Sequence, residues 1–206
     1  MTTQFPVVVD IEEFPGGIVK ELGMYRNGNC IGISFQPPYP FHNLFKKDRR
    51  KSKWLSKYIH MMKWNSGDVP YSSLPHVLDL ICEPRPHDFL ELPDELWEYY
   101  PLFGGEGEQP TQFYAKGLHK CHTLESVFKR PFTNLDDINC PESINLLISS
   151  IRKDPTKIYT CTSYPTEHDQ VLQRCAQKNA LLYGQWLDLL KRDHDNYNTF
   201  GFQFEF

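Results

Sequence analysis

The chain has 206 residues, 22 Lys+Arg against 26 Asp+Glu, and a formal net charge of −4, long enough for one domain with a substantial core. Apolar residues make up 40% and charged residues 23%, which excludes a disordered tail, and no run approaches the length of a membrane-spanning helix. The opening Met1-Thr2-Thr3-Gln4-Phe5-Pro6 lacks the basic-then-apolar layout of a secretion signal, so a cytoplasmic or nuclear location and no membrane partner are expected.

In chain order, Phe5 to Glu12 with its three consecutive valines reads as a strand buried on both faces. Pro15-Gly16-Gly17 is a turn, and Ile18 to Tyr25 a second strand. Arg26-Asn27-Gly28-Asn29 is a hairpin signal leading to a third strand, Cys30 to Phe35. The three prolines of Gln36-Pro37-Pro38-Tyr39-Pro40 end this antiparallel meander, because proline cannot donate to a ladder. Lys53 to Met62 reads as a helix, and Tyr71 to Ile81 as another, with Pro75 tolerated only in its first turn. Residues 82–110, rich in proline, glycine and acids, read as an irregular insertion or loop.

Gln112 to Ala115 reads as a short strand, Leu124 to Phe128 as a helix, Phe132 to Leu135 as a strand and Ser143 to Ile151 as a helix. Lys157 to Thr160 and a loop through Pro165 precede a last helix, Gln170 to Lys191. From Asp193 an aromatic tail follows, with Phe200, Phe202, Phe204 and Phe206 alternating as in an edge strand or a disordered peptide. The expected architecture is a single α/β domain over residues 1–192, a mixed sheet with helices on its faces, followed by the tail 193–206.

Charge is strongly segregated. Between Lys46 and Lys63 there are eight Lys/Arg and one acid, a local +7; between Glu83 and Pro110 there are eight acids and one base, a local −7. The basic run (Lys46, Lys47, Arg49, Arg50, Lys51, Lys53, Lys57, Lys63) points either to a phosphate-bearing partner or to a solvated face paired with the acidic stretch. Trp54, Tyr58, Trp64 and Tyr71 interleave with it. Such aromatics either stack unpaired bases beside cations that hold phosphates, or anchor a core beneath a charged face. The binding expectation is single-stranded nucleic acid held by Lys46, Lys47, Arg49, Arg50, Lys51, Lys53, Trp54 and Lys57.

Asp10 and Glu12, one residue apart on a strand, point to the same face. Two neighbouring carboxylates in a low-dielectric setting need a cation, and two-metal phosphoryl-transfer centres use such pairs to hold divalent ions. No Gly-x-Ser-x-Gly, phosphate-loop or dinucleotide motif is present, so acyl transfer and nucleotide-cofactor chemistry are not expected.

The run Val7-Val8-Val9-Asp10-Ile11-Glu12 with its two following strands resembles the opening of the DEDD 3′–5′ exonucleases of the ribonuclease H-like superfamily. The resemblance implies a ribonuclease H-like mixed sheet with helices on both faces. It also implies that Asp10 and Glu12 hold Mg²⁺ or Mn²⁺ for phosphodiester hydrolysis. The second expected Asp would fall within Lys116 to Leu124, a stretch without an acid, and Asn179 stands where the Asp of the last helix is wanted. Two of four carboxylates are therefore kept; Glu167, His168 and Asp169 are the nearby alternatives. A second expectation is a catalytically inactive scaffold that contacts proteins, in RNA silencing or in a virus or mobile element.

Six cysteines in a reducing context speak for metal ligation or burial rather than disulfides. Cys140, Cys161, His168 and Cys175 form Cys-x20-Cys-x6-His-x6-Cys, a donor set suited to a structural zinc; the bland alternative is that Cys175 simply packs inside the last helix. Cys161, His168 and Cys175 are similar in order to the zinc ligands of Maelstrom-type domains, a branch of the same superfamily. The remaining ligand there is an earlier glutamate, whose place Cys140 would take.

Overall fold

The structure, a computed structural model, describes residues 6–78, 80, 93–99, 112–153 and 175–199. Strands β1 (Val7–Phe14), β2 (Ile18–Arg26) and β3 (Asn29–Ser34) form the antiparallel meander, and β4 (Phe113–Ala115) and β5 (Phe132–Asn134) add to it in parallel. The order across the five-stranded mixed sheet is β3-β2-β1-β4-β5. The β2–β3 turn is built as its sequence demands: Asn27 and Gly28 both take positive φ, 46° and 85°, the pairing that matches the twist of a two-residue hairpin. Strand β1 runs two residues further than expected, past a register shift between Glu12 and Glu13.

Helices cover both faces. On one, Val7, Val9, Ile11, Leu22 and Met24 pack with Cys121, Leu124 and Phe128 of α2 (Leu118–Phe128). On the other, Val8, Tyr25 and Tyr114 pack beneath Ala180, Tyr183 and Leu187 of the long helix α4 (Ala176–Thr199). Helix α3 (Ser143–Lys153) lies against α4 through Leu147 and Leu182. Helix α1 (Lys46–Tyr58) sits apart from the sheet centre, with Ser52 its only buried residue. Lys20, fully buried on β2, clamps the segment after the meander by donating to the carbonyls of Phe35, at 2.6 Å, and Ser66.

Several boundaries differ from those expected, each for a local reason. Helix α1 begins at Lys46 rather than Lys53: Lys and Arg are good helix formers, and no capping side chain marks the start. Residues Tyr71–His76 form a 3-10 helix with Pro75 inside it, not the first turns of an α-helix, since proline removes a donor. Helix α2 starts at Leu118, six residues before expectation, because Gly117 at φ 92° turns the chain directly from β4 into it. Within 82–110 the described part is not irregular: Asp94–Tyr99 is a 3-10 helix whose Leu96 is fully buried in the first apolar cluster. Helix α4 runs through Thr199, so the expected tail does not begin at Asp193. Phe5, Lys157 to Thr160 and Phe200 to Phe206 lie outside the described residues.

Candidate functional site

Strand β1 changes character along its second face. Val8 is apolar, but the next two residues of that face are Asp10 and Glu12, opposite Gly23 and Glu21 of β2. Three acids are thus gathered where the N-terminal end of α4 crosses the sheet. Asp10 is 1% exposed and Glu21 is fully buried, so each must be matched by positive charge or donors.

Asp10 is matched twice. Lys120, in the first turn of α2, donates from Nζ to Oδ1 at 2.7 Å, and Asn179, in the first turn of α4, donates from Nδ2 to Oδ2 at 3.0 Å. The same ammonium lies 3.7 Å from Glu12 Oε1, so one cation serves both β1 carboxylates. Burial disfavours the charge on Lys120, yet Asp10 and then Glu12 outweigh it, and its pKa is held above the ordinary value of 10.5. Asn179 Oδ1 is buried without a hydrogen-bond partner among the described residues. Both oxygens of Asp10 accept from protein donors, and among the described residues the Lys120 ammonium would compete with a divalent ion for the same carboxylates.

Glu21 is matched by the start of α4. Its Oε2 accepts from the Ala176 backbone N–H at 2.9 Å, a carboxylate at the positive end of a helix. The Cys175 thiol lies 3.6 Å from Glu21 Oε1, and its sulfur accepts from Lys178 N–H at 3.4 Å, capping the helix. Of the expected zinc ligands, Cys161 and His168 lie outside the described residues, as do the alternatives Glu167 and Asp169. Cys140 sits in the second apolar cluster, where burial pushes its thiol up to about 12 despite Lys116. Among the described residues, the side chain shown against the Cys175 thiol is Glu21. Glu21 was missed in the sequence because, beside Lys20, it reads as half of an ordinary charged pair in a strand; the available signal was its place directly across from Glu12 in the hairpin register.

The basic residues are carried by α1. Lys46, Lys47, Arg50, Lys51, Lys53 and Lys57 are exposed, and Arg49 is half-buried. Lys46, Lys47, Arg50, Lys51 and Trp54 line an open concavity of about 690 Å³. The four aromatics divide. Trp64 packs on Phe14 and Phe41 and donates from Nε1 to the Tyr39 carbonyl at 3.2 Å, while the Tyr71 hydroxyl accepts from Val19 N–H at 3.2 Å; both serve the core. Trp54 and Tyr58 are 50% and 58% exposed, with ring centroids 6.4 Å apart. No helix among the described residues is long and apolar enough to cross a membrane. No protein family, curated protein or solved structure matches the chain.

Proposed function

We propose that the chain is a nucleic-acid-binding domain on a ribonuclease H-like fold whose carboxylate centre no longer hydrolyses phosphodiesters. Support for the fold comes from the strand order β3-β2-β1-β4-β5, with an antiparallel opening and two parallel additions. It comes also from the convergence on Asp10 of one side chain from α2 and one from α4, the two regions in which the resemblance wants further acids. The observation that carries the loss of hydrolysis is the Lys120 ammonium at 2.7 Å from Asp10 and 3.7 Å from Glu12. A fixed ammonium can balance the two acids, but it cannot activate water as a divalent ion does.

Binding rests on the outward cations of α1, which would release counterions from a phosphate backbone. The purified protein is expected to bind labelled RNA or DNA with an affinity that falls steeply with salt. Replacing Lys47, Arg50 and Lys51 with Glu should lower the salt slope by about 2, at roughly 0.7 per phosphate contact on single strands. In Mg²⁺ or Mn²⁺ its hydrolysis of the same substrates should not exceed that of Asp10→Ala/Glu12→Ala. Cleavage lost only in that double variant would restore the enzyme reading. Absence of salt-dependent binding by folded protein would leave the scaffold reading.

Glu21 against Cys175 favours a second element, the structural zinc implied by the Maelstrom-type resemblance. Glu21 and Cys175, with Cys161 and His168, would hold it, and zinc there would tie β2 to the start of α4 and lend its binding energy to folding. Elemental analysis should find about one zinc per chain, lost in Cys175→Ser but retained in Cys140→Ser; loss in both variants would return Cys140 to the ligand set.

A further inference from the structure

We infer that Trp54 and Tyr58 form a stacking platform for unpaired bases, so that α1 selects single strands over duplex. This deepens the nucleic-acid reading and rests on it. Lys47, Arg50, Lys51, Trp54 and Tyr58 follow the i, i+3, i+4, i+7, i+11 spacing that keeps them on one face of α1. The face is graded: cations occupy its N-terminal half and two exposed rings its C-terminal half. From Lys47 to Tyr58 it extends about 16 Å at the helical rise, the length of about five stacked nucleotides in one strand.

The inner side of α1 does the packing, through Ser52 and the partly buried Leu55, so neither ring is needed to hold the helix in place. Trp54 forms one wall of the concavity whose other walls are Lys46, Lys47, Arg50 and Lys51. A phosphate chain held by those cations delivers its next base to the indole. Lys57, 5.0 Å from the Tyr58 ring centroid, puts a further cation beside the second ring. In a duplex the faces of internal bases are covered by their neighbours, and only an unpaired base offers one for stacking.

Exposed aromatics among cations also suit an anionic membrane surface, but the pattern here argues against it. An interfacial helix segregates its apolar residues from its charges. On α1, Trp54 shares its face with Arg50 and Lys51, and the apolar packing of the helix, through the neighbouring Leu55, is already taken up by the protein.

The test measures binding of the full chain to a labelled twelve-nucleotide oligo(dT), a duplex of equal length and phosphatidylserine vesicles. Wild type is expected to favour the single strand over the duplex at least about five-fold, the low end of what one stacked base contributes. Trp54→Ala should remove most of that preference while leaving duplex affinity and the salt slope unchanged, and Trp54→Phe should keep most of it. Tyr58→Ala, also at an exposed site, should give a smaller loss. Equal binding of strand and duplex by wild type, an unchanged preference in Trp54→Ala/Tyr58→Ala, or tighter binding to vesicles than to either oligonucleotide would overturn the inference. Equal binding with a steep salt dependence sinks only the stacking platform; no binding to any nucleic acid sinks the underlying reading as well.

Discussion

Replacing Lys120 with methionine should lower the unfolding free energy by about 3 kcal/mol, the low end of the range for breaking a buried ion pair, because Asp10 is buried while the Lys120 side chain stays 26% exposed. Methionine keeps the aliphatic bulk and removes the charge. Asp10, 1% exposed, would then keep only the Asn179 amide among the described residues, and Glu12 would lose the ammonium it shares. The damage is the stranding of an acid rather than the loss of an attraction. Adding Asp10→Asn to the methionine variant should therefore recover a large part of the stability, because the acid no longer has to be buried unpaired. Denaturant midpoints of wild type, Lys120→Met, Asp10→Asn and the double variant at neutral pH measure this coupling. A single-variant loss below about 1 kcal/mol, the range of surface pairs, would mean that Lys120 is an ornament on the site.

The pH dependence carries a sign. The pKa of Lys120 is raised above 10.5 in the folded chain, so the stability it contributes is complete below the unfolded value and is lost as pH rises through the folded one. Wild-type and methionine curves should keep a constant separation from pH 7 up to about 10.5 and draw closer above it.

The second large effect concerns how α4 reaches the site. A Cβ on Gly23 would lie 2.1 Å from the Ala176 carbonyl oxygen, and one on Gly184 would lie 1.9 Å from Cδ1 of Tyr25. At Gly23 the obstacle is backbone at the start of α4, which cannot turn aside as a side chain can. At Gly184 it is a ring pinned from its far end, because the Tyr25 hydroxyl donates to Asp188 on the same helix. Overpacking commonly costs about 1–3 kcal/mol. Gly23→Ala should reach the upper end or exceed it, since moving Ala176 also loosens its N–H bond to Glu21 and draws Asn179 away from Asp10. Thermal melting measures the loss, and the Asn179 amide resonance, if assigned by NMR, should shift in Gly23→Ala. A melting temperature within a degree or two of wild type would show that α4 does not need the close approach.

What could be read along the chain was local. The valine run, the Asn27-Gly28 turn and the proline stop delimit β1, β2 and β3, because alternation, positive φ and a missing donor act within a few residues. The same period of two put Asp10 and Glu12 on one face, and the spacing of the last helix marked Asn179 as the residue nearest in kind to a missing acid. The start of α1 was not legible, because it has neither a capping side chain nor an apolar stripe and only Ser52 is buried. The division of the aromatics was equally hidden, since Trp54 and Trp64 differ in what they pack against rather than in their neighbours along the chain.

The tertiary structure alone decided what stands against each acid. Lys120 is 110 residues from Asp10, Asn179 is 169 residues from it, and Cys175 is 154 residues from Glu21. Nothing in the sequence around Asp10 says whether its counter-charge will be a metal ion, an amide or an ammonium. That choice is made when β4 pairs in parallel with β1 and carries the first turn of α2 to the end of the strand, and when Gly23 lets α4 settle on β2. A buried acid must be matched by some positive group; which one is a property of long-range packing, not of local pattern.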